Sequence, residues 1–338
     1  SLTGILETAT DCKQMSAQEL KGLLQTDVVD HIIQLYHISD TSLQSEIVPE
    51  EVQKLLDDHK NLFSEPTFLP PHRSFDHKIP LLPGALPVNV KPYRYNPIQK
   101  NEIEKQVAAM LQQGIIQLSS SAFASPVLLV RKKDGTWRFC VDYRHLNAIT
   151  MKHKYPMPVV DELLDELAGA MWFTKLDLRA GYHQIRLVEG EEHKTAFKVH
   201  NGLYEFKVIP FGVTEGPATF QTRMNTVLAP LLRKCVLCFM DDILVFSATF
   251  KEHLKHLKEV FDLLAANQLY VKMSKCSFAQ QKLEYLDHAI SKDGVSTDPA
   301  KVQAVKDWPV PTTVKQVRGF LGLTGYYRKF IKNYGIIS

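Results

Sequence analysis

Phe239-Met240-Asp241-Asp242-Ile243-Leu244 is the stretch on which the reading of this chain turns. Two adjacent aspartates interrupt an apolar or sulfur-bearing run that begins at Val236 and resumes from Ile243 to Phe246. The flanks read as buried strands, residues 236–240 and 243–246, with Asp241-Asp242 between them. A simple turn accounts for one Asp, with Gly or Asn beside it. Two like charges side by side repel, and a divalent cation would supply the counter-charge. Asp177 stands likewise at the end of an apolar strand read over residues 171–178. Three carboxylates on neighbouring strand ends can hold two Mg2+ ions about 3.5–4 Å apart, the geometry for in-line displacement at phosphorus. From spacing alone, metal chemistry and a double-Asp hairpin turn both remain open.

Outward from that stretch, strands arrive in hairpins with helices between them, which points to an antiparallel α+β fold. Asn201-Gly202 separates two strand patterns, a strong hairpin signal. Residues 126–130 and 137–143 read as strands joined through Lys133-Asp134-Gly135. That hairpin tip carries Arg131, Lys132, Lys133 and Arg138, four cations suited to a phosphate chain or simply to solvent. Asn96-Pro97 opens a helix that Gly114 closes. Pro217 opens another, to about Leu232, and Phe250, Leu254, Leu257, Phe261 and Leu264 mark a third. Residues 66–97 hold eight of the eighteen prolines and read as an extended strap over a surface. Residues 16–38 and 49–63 carry helical apolar spacing.

The 338 residues are 45% hydrophobic and 23% charged, ordinary for a globular chain of about two domains. No apolar run approaches the ~18 residues of a membrane span. The start, Ser1-Leu2-Thr3-Gly4, is neither a signal peptide nor an initiator methionine, so the chain reads as part of something longer. Five cysteines, an odd count without a secretory signal, argue for a reducing compartment. Cys235-x-x-Cys238 lacks a second pair to complete a zinc site, and His253-x-x-His256 reads as a solvated helix face. The net charge of +3 hides an asymmetry: residues 1–60 carry net −7 and residues 61–338 net +10. A basic body with an acidic leader fits a polyanionic partner, and equally a generic solvated surface.

A chain of motifs narrows these readings. Val141-Asp142-Tyr143-Arg144-His145-Leu146-Asn147, then Lys175-Leu176-Asp177-Leu178-Arg179-Ala180-Gly181-Tyr182-His183-Gln184-Ile185, then Pro210-Phe211-Gly212 with Pro217-Ala218-Thr219-Phe220-Gln221, then Phe239-Met240-Asp241-Asp242, resembles the reverse transcriptase of gypsy-type LTR retrotransposon Pol polyproteins. The order and spacing match from about Phe68 to the C-terminus, and Leu69-Pro70-Pro71-His72-Arg73 and Lys91-Pro92-Tyr93-Arg94-Tyr95 are similar to that family's lead-in. No protease Asp-Ser/Thr-Gly motif precedes it, and the sequence ends soon after Gly325-Tyr326-Tyr327-Arg328-Lys329-Phe330, where the family's thumb and connection would lead into a ribonuclease H domain.

The resemblance implies an α+β right-hand polymerase with an antiparallel palm sheet backed by helices. Its expected divisions are an acidic helical leader (1–65), a proline-rich lead-in (66–96), fingers (97–170), palm (171–295, with a fingers insertion near 185–210) and thumb (296–338). It implies RNA- and DNA-templated addition of dNTPs to a primer 3′-OH. Asp177, Asp241 and Asp242, with the Leu178 carbonyl, would hold two Mg2+ ions, or Mn2+ in their place. Lys132, Arg138, Arg179, Ala180, Gly181, Tyr182, Phe211 and Gly212 would form the nucleotide site, the Tyr182 ring excluding a 2′-hydroxyl. Arg144, Asn147, Phe239, Met240, Leu286 and Asp287 would touch template or primer, unless Arg144 serves a structural ion pair and Tyr182 the core. Expected partners are a primed RNA or DNA template, dNTP, a second copy in a homodimer, and the ribonuclease H and integrase domains of the parent polyprotein, with no membrane. The expected setting is a cytoplasmic virus-like particle, or the nucleus with the integration complex. Two positions depart from the family: Asp287 replaces Gly in the primer grip, and Glu215-Gly216 replaces Asn-Ala, adding charge near the nucleotide pocket. A weakened polymerase fold that only binds nucleic acid, and a two-metal nuclease, are the competing functions.

Overall fold

The structure is a computed structural model. It describes residues 3–4, 13–14 and 48–337, apart from 67, 74, 133–134, 153–154, 298, 327 and 329–333. The chain divides into two units, residues 1–47 and 48–338. In the first, β1 (Thr3–Gly4) pairs antiparallel with β2 (Lys13–Gln14). The helix read over residues 16–38 lies outside the described residues.

The second unit is built on a four-stranded antiparallel sheet. Its strands are β6 (Trp172–Asp177), β9 (Val236–Phe239), β10 (Asp242–Ser247) and β11 (Ser277–Gln280), in the order β11-β6-β10-β9. Alternate residues of β10 enter different cores. Ile243 and Val245 join α5 (Gly216–Val227) and α6 (Phe250–Ala266) through Phe220, Met224, Leu257, Val260 and Phe261. Leu244 and Phe246 join Leu164 and Leu167, and Tyr285 and Ile290 from a three-stranded sheet spanning residues 282–297. With both faces covered, successive strand residues must all be apolar, which is why these strands read as continuous runs. Burying each such side chain stabilises the fold by roughly 1.5–3 kcal/mol.

A five-stranded sheet forms the second layer, in the order β3-β8-β7-β4-β5. Here β3 is Ile116–Leu118, β4 Ser125–Arg131, β5 Trp137–Val141, β7 Phe197–Val199 and β8 Gly202–Phe206. The β4–β7 pair is parallel, an exception to the expected antiparallel pattern. α2 (Pro97–Gln112) leads into this sheet and starts with a capping box between Asn96 and Gln99. Beyond the four-stranded sheet, β12 (Lys282–Tyr285), β13 (His288–Ser291) and β14 (Gly294–Thr297) precede α7 (Pro299–Lys306) and α8 (Val314–Tyr326). Among the described residues no helix is long and apolar enough to cross a membrane.

The strap is extended as its prolines dictate, and its remaining amides pair with the body. His77 N–H donates to the Arg186 carbonyl and Val90 N–H to the Ala124 carbonyl, both at 2.8 Å. Glu191 and Lys194 grip both backbone groups of Ile79, at 2.7 and 2.9 Å. Arg73 donates to the carbonyls of Gln184 (3.1 Å) and Asn267 (2.5 Å).

Three expectations change. The leader does not run to residue 65: α1 (Glu50–Asp58) and the 3-10 turn Lys60–Phe63 belong to the main unit, because Val52, Leu56 and Leu62 are buried in its core. Helix α5 ends at Val227, with the Leu228 N–H on the Met224 carbonyl, rather than near Leu232. His253 is not solvated. It is fully buried, with Nε2 2.8 Å from Thr174 Oγ1 and Nδ1 3.1 Å from Ser247 Oγ.

Burial lowers the pKa of His77 and His253 to about 4. Unfolded, each titrates near 6.5. Between those values the unfolded chain takes up protons that the folded chain refuses, so the stability present above pH 6.5 is lost as pH falls towards 4. At pH 5.5 the loss is roughly 1 kcal/mol per histidine. Urea unfolding at pH 7.5 and 5.5 checks this, and equal stabilities at the two pH values would refute it.

Candidate active site

The three aspartates converge through strand register. Asp242 lies directly opposite Asp177 on the β6–β10 ladder and opposite Phe239 on the β9–β10 ladder. The hairpin turn is therefore Met240-Asp241, not Asp241-Asp242, and Asp242 is the first residue of its strand. Met240 takes the left-handed conformation, φ 57°. Asp241 then stands at the tip, and its carbonyl accepts the Leu178 N–H at 3.2 Å. In the bridge between Leu178 and Val271 the hydrogen bonds are made by neighbours: Arg179 N–H to the Tyr270 carbonyl, and Lys272 N–H to the Asp177 carbonyl. The Leu178 carbonyl, on the same strand edge as its N–H, thus points towards the Asp241 side.

Electrostatics match that crowding. Burial raises the Asp242 pKa, and the charges of Asp241 and Asp177 add to it, against the pull of Lys175. Lys175 Nζ lies 3.5 Å from Asp242, and Lys275 Nζ 2.9 Å from Asp177, which raises the Lys275 pKa. Among the described residues no three His, Cys, Asp or Glu are drawn together as tightly as ligands around one ion. Two lysines hold two of the three carboxylates instead. The donor set still fits a divalent cation: hard oxygens only, with mutual repulsion that a cation relieves and ammonium groups standing where positive charge is needed. Sequence reading passed over both lysines, although Lys175 lies two residues before Asp177.

The loop after Asp177 is pressed against this cluster. Ala180 is left-handed, φ 44°. A Cβ on Gly181 would meet Phe220 Cζ at 2.9 Å and Asp241 Cβ at 3.4 Å, so glycine is what lets the loop touch the hairpin. Arg179 is fixed by its backbone, its carbonyl accepting Gln184 Nε2 at 2.7 Å. Tyr182 stands edge-on to Phe211 (centroids 5.0 Å) and against Phe220 (5.4 Å). It is half-buried, a wall rather than core, and burial with the Asp241 charge raises its pKa to about 12. Phe211 is half exposed. Gly212 has φ 99°, which a side chain rarely adopts.

Lys132 and Arg138 share one face of the β4–β5 hairpin, because Val130 opposes Arg138 and Lys132 N–H bonds the Thr136 carbonyl one step further on. Arg131 goes to the other face, over the Trp137 ring at 5.1 Å. Arg144 is in an ion pair: its guanidinium grips Asp142 at 2.6 and 2.8 Å, and its side chain remains 77% exposed. Those bonds hold the Asp142 carboxyl well below the usual carboxylate range. Asn147 braces the loop after Phe211, donating to the Gly212 carbonyl (2.8 Å) and accepting the Thr214 N–H (2.9 Å). Leu286 and Asp287 form a two-residue hairpin turn with φ 48° and 63°, the type I′ pattern that favours Asn-Gly. Tyr285, just before it, donates from its hydroxyl to the Asp242 carbonyl at 3.3 Å, linking that turn to the aspartate strand. Glu215 is buried at the N-terminal end of α5, where the helix dipole favours an anion.

The chain is similar to several known proteins. The family described as "Reverse transcriptase (RNA-dependent DNA polymerase)" matches residues 130–290. The Retrovirus-related Pol polyprotein from transposon 297 of Drosophila melanogaster is 43% identical over 257 residues, 75% of this chain and 24% of its own length. The Transposon Tf2-3 polyprotein of Schizosaccharomyces pombe is 35% identical over 298 residues, 87% of this chain and 22% of its own. The chain thus spans about a quarter of the curated relatives it matches. Among solved structures, a foamy viral protease-reverse transcriptase in complex with double-stranded DNA superposes with a TM-score of 0.77 at 24% identity, over 86% of this chain and 52% of that one. The foamy viral protease-reverse transcriptase in complex with an RNA/DNA hybrid gives 0.71 at 23%, over 82% and 38%. At these identities the likeness shows a common fold.

Proposed function

Because residues 130–290 belong to the reverse transcriptase (RNA-dependent DNA polymerase) family, we propose that this chain extends a primer with deoxynucleotides on an RNA or DNA template, as part of a retrotransposon polyprotein. The observation that carries the reading is the register of Asp242 opposite Asp177 with Asp241 in the adjoining turn. Asp177, Asp241, Asp242 and the Leu178 carbonyl would hold two Mg2+ ions, which when bound activate the attacking hydroxyl and steady the leaving pyrophosphate. The shared face of Lys132 and Arg138 binds the triphosphate. Tyr182 closes the sugar side with Phe211 and Gly212, and the 179–181 loop carries Tyr182 to the aspartates. Arg144 offers its exposed guanidinium to the template, and Asn147 acts through the loop it braces. Phe239, Met240, Leu286 and Asp287 line the primer. The same reading puts the chain in a cytoplasmic particle.

Primer extension on an RNA template with dNTPs and Mg2+, beside an Asp241→Asn/Asp242→Asn control, tests this. Extension that the control loses supports it. Salt-sensitive binding of the hybrid without extension would instead favour a binding module, the reading to which Asp287 gives weight. Asp287→Gly is expected to speed extension about threefold, by removing a negative charge beside the primer phosphates and placing glycine at φ 63°. Equal or slower extension by that variant at matched hybrid concentration sinks the idea.

A further inference from the structure

The turn that carries Asp241 is held from behind at its amide by a side chain from another element, while the Cys238 thiol, on the strand before it, meets the Met240 carbonyl at 3.5 Å. Met240 adopts a conformation that Gly or Asn takes readily and Met does not, so its surroundings must keep it there. Gln221, on α5 and fully buried, does this. Its Oε1 accepts the Met240 N–H at 2.7 Å. Its Nε2 donates to the Cys238 carbonyl at 3.1 Å and to Asn225 Oδ1 at 2.9 Å. One amide therefore bridges the turn to the strand that leads into it. The neighbouring Phe220 contacts Tyr182 and leaves no room for a side chain at Gly181. A single turn of α5 thus registers the Asp241 hairpin and the nucleotide loop together.

We propose that Gln221 is a positioning residue for Asp241, a role that rests on the polymerase reading. It fixes the left-handed Met240 so that the Asp241 carboxylate meets Asp177 and Asp242, and it touches no substrate itself. A neutral amide suits the place: it both accepts from the Met240 amide and donates to the Cys238 carbonyl, and it adds no negative charge to a cluster already crowded with carboxylates.

The test is Gln221→Met, which keeps the length and loses every hydrogen bond. The expected result is a roughly 30-fold lower kcat for nucleotide addition, with the KM for dNTP and the Kd for the hybrid within about threefold of the parent. A merely structural loss would reduce the fraction of competent molecules, so the amplitude of the first turnover is measured beside its rate. An unchanged rate with a reduced amplitude, or a kcat within threefold of the parent, overturns the proposal. Hydrogen exchange gives a readout apart from activity: the Met240 amide should exchange at least tenfold faster while Ile243 to Val245 keep their protection. An unaltered Met240 amide also overturns it. If Gln221→Met does not fold, Gln221→Asn, one methylene shorter, is put through the same measurements. An inactive parent protein would remove the polymerase reading, while the exchange at Met240 would still report whether the clamp exists.

Discussion

Asp242→Asn slows nucleotide addition at least about 10³-fold, roughly 4 kcal/mol of transition-state stabilisation, and leaves the protein no easier to unfold. The two halves of that expectation come from one geometry. Asp242 is set opposite Asp177 and one residue from Asp241, and it is partly buried, so its charged form is disfavoured. Among the described residues Lys175, at 3.5 Å, is the cation paired with its carboxylate, and Lys275 adds a weaker attraction. An amide of the same shape removes the repelled charge, so the apo protein should keep its stability or gain up to about 1 kcal/mol. The same amide is a poor ligand for a hard dication, and the charge that chemistry at phosphorus requires is lost. Single-turnover extension and urea unfolding of the two proteins decide it. Activity within tenfold of the parent would remove Asp242 from the catalytic set. Lower stability would mean that the carboxylate is chiefly a structural partner of Lys175.

Tyr182→Val is expected to cost about 10²-fold in discrimination between deoxy- and ribonucleotides, with much less effect on deoxynucleotide addition. The ring is fixed edge-on to Phe211 and packed on Phe220, and α5 prevents Phe220 from retreating. A wall that cannot move excludes one hydroxyl by sterics, and such exclusion comes from the disfavoured substrate's clash rather than from a contact with the favoured one. Valine removes the outer half of the ring and opens that space. The measurement is kcat/KM for dNTP over rNTP on the same hybrid. A ratio unchanged by the substitution would place Tyr182 in packing alone.

The parts of this molecule that depend on local chemistry were legible in the residues. The helix start at Asn96-Pro97, the strap of prolines and the presence of a hairpin beside Asn201-Gly202 all follow from short-range rules, although its turn is His200-Asn201 and Gly202 already belongs to β8. The aspartates were legible because two charges in an apolar run are costly, and the motif order then named their neighbours. What escaped depends on contacts between distant segments. His253 looked like a helix-surface residue because nothing local shows that Thr174 and Ser247 await it. Residues 50–63 looked like part of an acidic leader because their apolar face meets α6, two hundred residues away. The turn was read one residue late because a Met at φ 57° violates the local preference. Gln221 explains that violation, and a glutamine inside a helix carries no mark of the turn it holds. Lys275 was missed for a similar reason: its partner Asp177 lies 98 positions earlier.

The anchoring of the strap bears on how the chain is made. Arg73 emerges from a ribosome long before Asn267, the residue whose carbonyl it grips, 194 positions later. At about 5–20 residues per second, that partner follows some 10–40 s behind. During that interval His77 and Val90 can already pair with Arg186 and Ala124, while the carbonyl of Asn267 is still missing from the Arg73 end of the strap. Its eight prolines lack an N–H to offer to a stray strand edge, which makes the segment a poor nucleus for aggregation while it waits. The composition that lets the strap run along the finished protein also makes it a poor partner for stray strand edges until its last anchor is made.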